Sequence, residues 1–66
     1  MSYSIETNEN GICFLNSIDE NGESWTIFEC PIEELENTMG EYIESCNIEY
    51  EPSIILNTLV DIELGR

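Results

Sequence analysis

Glu-Asn-Gly occurs twice in this chain, at Glu9-Asn10-Gly11 and Glu20-Asn21-Gly22, eleven residues apart. Asn-Gly is the strongest short-range hairpin signal, because a two-residue type I′ turn needs positive φ at both central positions. Eleven residues is about one strand plus one turn. The repeat therefore divides the N-terminal half into three strands, over residues 3–7, 12–18 and 23–29. Alternation puts Ile12, Phe14 and Ile18 on one face of the middle segment. In the third it puts Trp25 and Ile27 on one side and Phe28 on the other. The expected unit is a three-strand antiparallel meander. The second repeat, Asp19-Glu20-Asn21-Gly22, also looks like the opening of a calcium-binding EF-hand loop. That loop needs Gly at its sixth position and Glu at its twelfth. Counted from Asp19 these are Ser24 and Cys30, so the stretch reads as a turn.

The period changes at Pro31. Ile32, Leu35, Met39, Tyr42, Ile43 and Cys46 recur at steps of three and four, which predicts a helix over residues 32–47. Pro31 suits its first position, and Glu33 and Glu34 suit the positive end of the helix dipole. Gly40 interrupts, at about 1 kcal/mol relative to Ala, and reads as room for another backbone to approach. Beyond Pro52, residues 54–64 alternate with period two, and their β-branched content favours a strand. The rival is a helix with Ser53 as N-cap and Ile55, Leu59 and Ile62 on one face. The predicted fold is a single α+β domain over residues 1–66, β-β-β-α-β, with one acidic amphipathic helix across a small antiparallel sheet. The second face of the last strand, carrying Ile55 and Leu59, exceeds what one helix covers. A homodimer through that face or through the sheet edge is expected.

A chain of 66 residues buries only about 60% of its unfolded surface. Three cysteines, Cys13, Cys30 and Cys46, form no CxxC pair, and the first residues have neither a basic nor an apolar leader segment. These features read as a cytoplasmic chain with reduced thiols packed in or near the core, and with no membrane span. The outlying property is charge. Fifteen acids stand against one base, Arg66, for a formal net charge of −14. Such charge disfavours compaction, yet 41% of residues are hydrophobic and fall in periodic runs, so the chain reads as folded.

With no histidine and no lysine there is no ordinary base for a Ser or Cys nucleophile, no Schiff-base amine and no phosphate-binding lysine. Three cysteines at these spacings lack a fourth zinc ligand. The expectation is a non-enzyme without cofactor or metal. Direct binding of nucleic acid is also disfavoured, since phosphate contacts come from Lys and Arg. The same charge attracts proteins whose grooves hold nucleic acid. Duplex DNA carries a charge about every 1.7 Å of axis, and a helix rises about 1.5 Å per residue. Glu33, Glu36, Glu41 and Glu44 are accordingly the candidate partner-binding face, with Glu9, Asp19, Glu20 and Glu23 at the hairpin tips extending it. Like charges at i,i+3, such as Glu33–Glu36 and Glu41–Glu44, repel until a basic partner compensates them. Two other readings stand beside this one. The acidity serves solubility alone, or the chain is an antitoxin-, immunity-type or regulatory partner anchored by apolar and aromatic residues such as Trp25, Tyr42 or Tyr50.

Small size, extreme acidity, one base in the whole chain and a compact sheet with one acidic helix together resemble the small inhibitors encoded by phages. Some of those occupy the DNA-binding channel of a host nuclease, repair glycosylase or CRISPR effector, and others disable different antiphage systems. The resemblance spans the whole chain and rests on its general character rather than a motif. It implies a non-enzymatic blocker in the host cytoplasm that acts by direct contact with a basic or nucleic-acid-binding host protein.

Overall fold

The computed structural model describes residues 2–66. Three strands, β1 (Ser2–Thr7), β2 (Ile12–Ile18) and β3 (Ser24–Pro31), form an antiparallel sheet in the order β1-β2-β3. A 3₁₀ turn (Ile32–Glu34) runs into α1 (Leu35–Ser45), and α2 (Tyr50–Glu63) follows. The meander and the acidic helix agree with expectation. The C-terminal strand does not: residues 50–63 are helical, so the order is β-β-β-α-α.

Both hairpins use the same device, which is not the two-residue turn that Asn-Gly suggests. Asn8 Oδ1 accepts the N–H groups of Asn10 (2.9 Å) and Ile12 (3.0 Å). Asp19 Oδ1 accepts those of Asn21 and Glu23 (both 2.9 Å). Each loop has three residues, closed by the Asn8 N–H to Ile12 carbonyl bond and its Asp19–Glu23 counterpart. Only the Gly of each pair has positive φ, +77° at Gly11 and +83° at Gly22. An acceptor three residues before the Gly therefore makes the turn, and the repeat is better read as Asn/Asp-Glu-Asn-Gly.

Both helices cover one face of the sheet. Cys13 and Leu15 of β2, Cys30 of β3, Leu35 and Met39 of α1, and Leu56 and Val60 of α2 form the buried cluster. The buried face of β2 is thus the opposite of its Ile12-Phe14-Ile18 face. The neighbours decide this. Leu15 is flanked by Ile5 and Phe28, and Cys13 by Thr7 and Cys30, whereas Phe14 is flanked by Glu6 and Glu29. Burying the Phe14 face would strip water from two carboxylates. A bulge in β3 completes the arrangement: Leu15 pairs with Phe28 but Asn16 pairs with Thr26, leaving Ile27 as the extra residue. The bulge breaks alternation, so Trp25 shares a face with Phe28 instead of opposing it. Ser17, only 1% exposed on the buried face, has an Oγ with no hydrogen-bond partner among the described residues.

Pro31 is the last residue of β3, paired with Ile12, and precedes the 3₁₀ turn rather than starting the helix. The Ile32 N–H then bonds the Gly11 carbonyl at 2.9 Å, tying the helix entry to the first hairpin. The exit of α1 has Asn47 at φ +49°, with Ile48 N–H on the Ile43 carbonyl and Asn47 N–H on the Glu44 carbonyl. This is the two-bond reversal usually built on glycine, and it turns the chain back into α2.

The second helix forms because the sheet is wider than α1 can cover. Phe28 stacks edge-on against Tyr42, ring centroids 6.0 Å apart, which fixes α1 over β3. Thr7 Oγ1 donates to Glu63 Oε2 at 2.8 Å, and Tyr3 sits beside Pro52 and Ile55, which fixes α2 along β1. A final strand would leave the β1 side of the inner face bare; a helix buries Leu56 and Val60 there, and that packing overrides the β-branched propensity. The helix starts one turn earlier than a Ser53 cap would have it. Glu49 is the N-cap, and the Ser53 hydroxyl bonds the Tyr50 carbonyl at 2.8 Å. Pro52 falls in the first turn, where no backbone donor is needed. The helical face also differs from the rival reading, since Ile55 and Ile62 point outward.

Two substitutions test this packing. A Cβ built on Gly40 meets nothing within 4 Å, so no backbone approaches there. Gly40→Ala is expected to raise unfolding free energy by about 0.5–1 kcal/mol in chemical denaturation. Ser17→Ala removes a buried hydroxyl without a partner and is expected to raise stability by about 1 kcal/mol. A loss in either would reverse the corresponding assignment.

Candidate functional site

Glu33 lies on the 3₁₀ turn, and Glu36, Glu41 and Glu44 lie on α1; all four are exposed. Three residues of 3₁₀ at about 2.0 Å and eleven of α-helix at about 1.5 Å give the acidic segment a length of about 22 Å. Leu35 and Met39 bury the inner side of α1, which leaves these carboxylates to solvent. They are not equivalent. Glu36 is bonded by the Arg66 guanidinium, which also lies 3.9 Å from Asp61. The single base thus clasps the start of α1 to the end of α2. Glu33, Glu41 and Glu44 have no ion pair among the described residues.

The hairpin tips lie toward the two ends of this face rather than beside one another. Glu9 is in the loop that the Gly11–Ile32 bond holds beside the start of the helix. Asp19, Glu20 and Glu23 belong to the other hairpin, at the far end of β2. Seven residues of strand at about 3.3 Å put roughly 23 Å between the two ends. Asp19 is moreover committed to its turn, since one carboxylate oxygen already accepts two backbone N–H groups. The acids therefore surround the body, with the densest ungrouped set on α1.

A second surface carries residues that the sequence offers separately, Trp25 and Tyr50 as anchors and Ile55 as part of an uncovered strand face, although Ile55 lies on a helix rather than a strand. Tyr50 (72% exposed), Ile54, Ile55 and Ile62 (67%) stand outward on α2, and Trp25 (47%) stands at the sheet end near its start. A groove of about 310 Å³, lined by Ser2, Tyr3, Pro52 and Ile55, opens between α2 and β1. Its lining carries no carboxylate and no thiol. The signal was the Ile55-Leu59-Ile62 spacing, which marked a helical face but not whether it was buried or bare.

The thiols divide as well. Cys13 and Cys30 are buried, and Cys46, read as part of the apolar helix face, is exposed at the end of α1. Burial pushes the Cys30 thiol above its ordinary range, with a Thr38 hydrogen bond working against it. Burial likewise raises the Tyr42 phenol, with Tyr3 beside it. Among the described residues no three His, Cys, Asp or Glu side chains come together as a metal site. No helix among them is long and apolar enough to cross a membrane.

Compared with family models, curated proteins and solved structures, the chain gives no significant match to any of them.

Exposure predicts the order of thiol reaction. With an aromatic disulfide reagent at neutral pH, one thiol per chain is expected to react promptly and two only on unfolding. Cys46→Ser is expected to abolish the prompt phase. A prompt phase of two or three thiols would contradict the core described above.

Proposed function

We propose that this chain is a non-enzymatic inhibitor that binds and blocks a host protein in the cytoplasm through its acidic helix. Its target is a protein with a basic groove of the kind that holds nucleic acid. The observation that carries this reading is the exposed row Glu33, Glu41 and Glu44, with no ion pair among the described residues in a chain of net charge −14. Carboxylates held on a helix with its inner side buried are pre-organised, so a basic groove meets them without reordering the backbone. Their mutual repulsion is relieved on binding, and opposite fields speed encounter at low salt. The resemblance to small phage-encoded inhibitors supplies the narrower target class, a host antiphage protein. The surface itself argues only that the partner is basic.

A second reading has its own observation. Trp25 and Tyr50 are large and exposed, and the Tyr3–Ser17–Trp25 register with Tyr3 beside Pro52 sets both toward one end of the sheet, as anchors of an antitoxin- or immunity-type contact would be. In that case the acidity serves solubility.

The two readings separate in one experiment. Glu33→Gln, Glu41→Gln and Glu44→Gln together leave the Glu36–Arg66 pair intact. With tagged protein and host lysate, the wild type is expected to capture a basic nucleic-acid-binding protein that added duplex DNA displaces. The triple variant is expected to bind it at least tenfold more weakly at low salt, with an unchanged circular dichroism spectrum. Equal capture by both, lost on Trp25→Ala or Tyr50→Ala, would replace the acidic helix by the apolar anchors.

A further inference from the structure

The sheet has one strand whose free edge lies beneath an uncovered apolar stripe, and the two features face the same way. Among the described residues β1 pairs only with β2. The Asn8 N–H bonds Ile12, so in the alternating antiparallel ladder Glu6, Ser4 and Ser2 direct their backbone groups toward β2. Tyr3, Ile5 and Thr7 direct theirs to the open side. Above this edge runs α2, parallel to β1, from the Ser2-Tyr3-Pro52-Ile55 groove to the Thr7–Glu63 bond. Because α1 lies on the β3 side, the flank of α2 away from α1 overhangs the free edge of β1. That flank carries Ile55 and Ile62, both more than half exposed, with Thr58 and Leu59 between them.

We infer that this side is a homodimer interface, in which β1 pairs antiparallel with β1 of a second copy and the two α2 helices pack across the same two-fold axis. The register follows from the backbone. With the axis at Ile5, Ile5 exchanges both bonds with Ile5 of the second copy, and Tyr3 pairs with Thr7. All of these are outward-directed groups, and every pair keeps its side chains on one face. The helix obeys the same axis. From Ile5 to Thr7 is about 7 Å of strand, and from the midpoint of Thr58 and Leu59 to Glu63 is about 7 Å of helix. One two-fold therefore brings Ile55 of each copy opposite Ile62 of the other, a self-complementary contact of the kind a dimer requires. The projecting Ile62 then meets the groove beside Ile55.

Charge favours a second copy on this side. Two bodies of −14 each repel, so they approach where carboxylates are fewest. Residues 2–5 and 52–60 are free of charge, and these two runs form the edge and the overhanging helix. On β1 the axis sets Glu6 opposite Ser4 rather than another acid. The result is a continuous six-stranded sheet, which also closes the exposed edge that small sheets must protect.

The test is the mass in solution. Sedimentation equilibrium in about 0.15 M salt, where exposed charges are screened beyond about 8 Å, is expected to give twice the 7.6 kDa chain mass. Ile55→Lys with Ile62→Lys lowers the net charge and so relieves repulsion, yet it is expected to weaken dimerisation at least a hundredfold with circular dichroism unchanged. Independently, Thr58→Cys in a Cys46→Ser background lies near the axis and is expected to form a disulfide-linked dimer on mild oxidation. Asn37→Cys on α1 is expected not to. A monomer at every concentration, leaving the stripe to a foreign partner, would overturn the inference. So would a dimer indifferent to both lysines, or Asn37 cross-linking as readily as Thr58.

Discussion

Leu15, Leu35, Met39 and Leu56 have no exposed surface, and everything else in this molecule hangs on the single apolar layer they form. Fifteen acids against one base exclude a fold held together by ion pairs. The Arg66–Glu36 contact is more than half exposed on both sides, and such pairs are worth about 1 kcal/mol at most. One fully buried leucine is worth about 1.5–3 kcal/mol. The layer between sheet and helices therefore carries the stability, and the carboxylates are arranged around it so as not to interfere.

That arrangement separates the surface into two kinds. The outer side of α1 is acidic because its inner side supplies Leu35 and Met39, and the row of glutamates is what remains facing water. The outer side of α2 is apolar despite facing water. A chain this highly charged has ample polar residues, yet places Ile54, Ile55 and Ile62 outward on one helix. The acidic flank and the apolar flank lie over opposite edges of the sheet, β3 and β1, so engagement of one leaves the other free.

The meander and the acidic helix were legible in the sequence because their signals are local. A Gly preceded by a turn acceptor stops a strand wherever it occurs, and the three- and four-residue spacing from Ile32 to Ile43 describes a helix without reference to the rest of the fold. The buried face of β2 was not legible from β2 alone, since Ile12, Phe14 and Ile18 look more like a core than Cys13, Leu15 and Ser17. It emerges only when the cross-strand neighbours are counted, where Glu6 and Glu29 beside Phe14 decide the matter. Residues 50–63 failed for a related reason. Their β-branched residues satisfy either period, and the choice rests on how much sheet remains uncovered after α1 has packed, a quantity no local window contains. The candidate carboxylates on α1 were placed on one exposed helix as expected, and the meander put the hairpin-tip acids in two loops at opposite ends of β2, one of them held beside the helix entry.

The last helix lies on the first strand. Thr7 and Glu63, fifty-six residues apart, are hydrogen-bonded, while the sheet pairs only neighbouring strands and each helix follows the element before it by a short turn. Hairpins of this size form in microseconds, each over a loop whose closure entropy is small. Docking α2 on β1 closes nearly the whole chain, at an entropic cost that grows only as the logarithm of loop length. Until that contact forms, Leu56 and Val60 of α2 and the inner side chains of β1, which the fold buries or half-buries, are left to water. The inner face of β1 is thus covered by residues far along the chain rather than by its sequence neighbours, and that face stays wet until α2 has formed and docked.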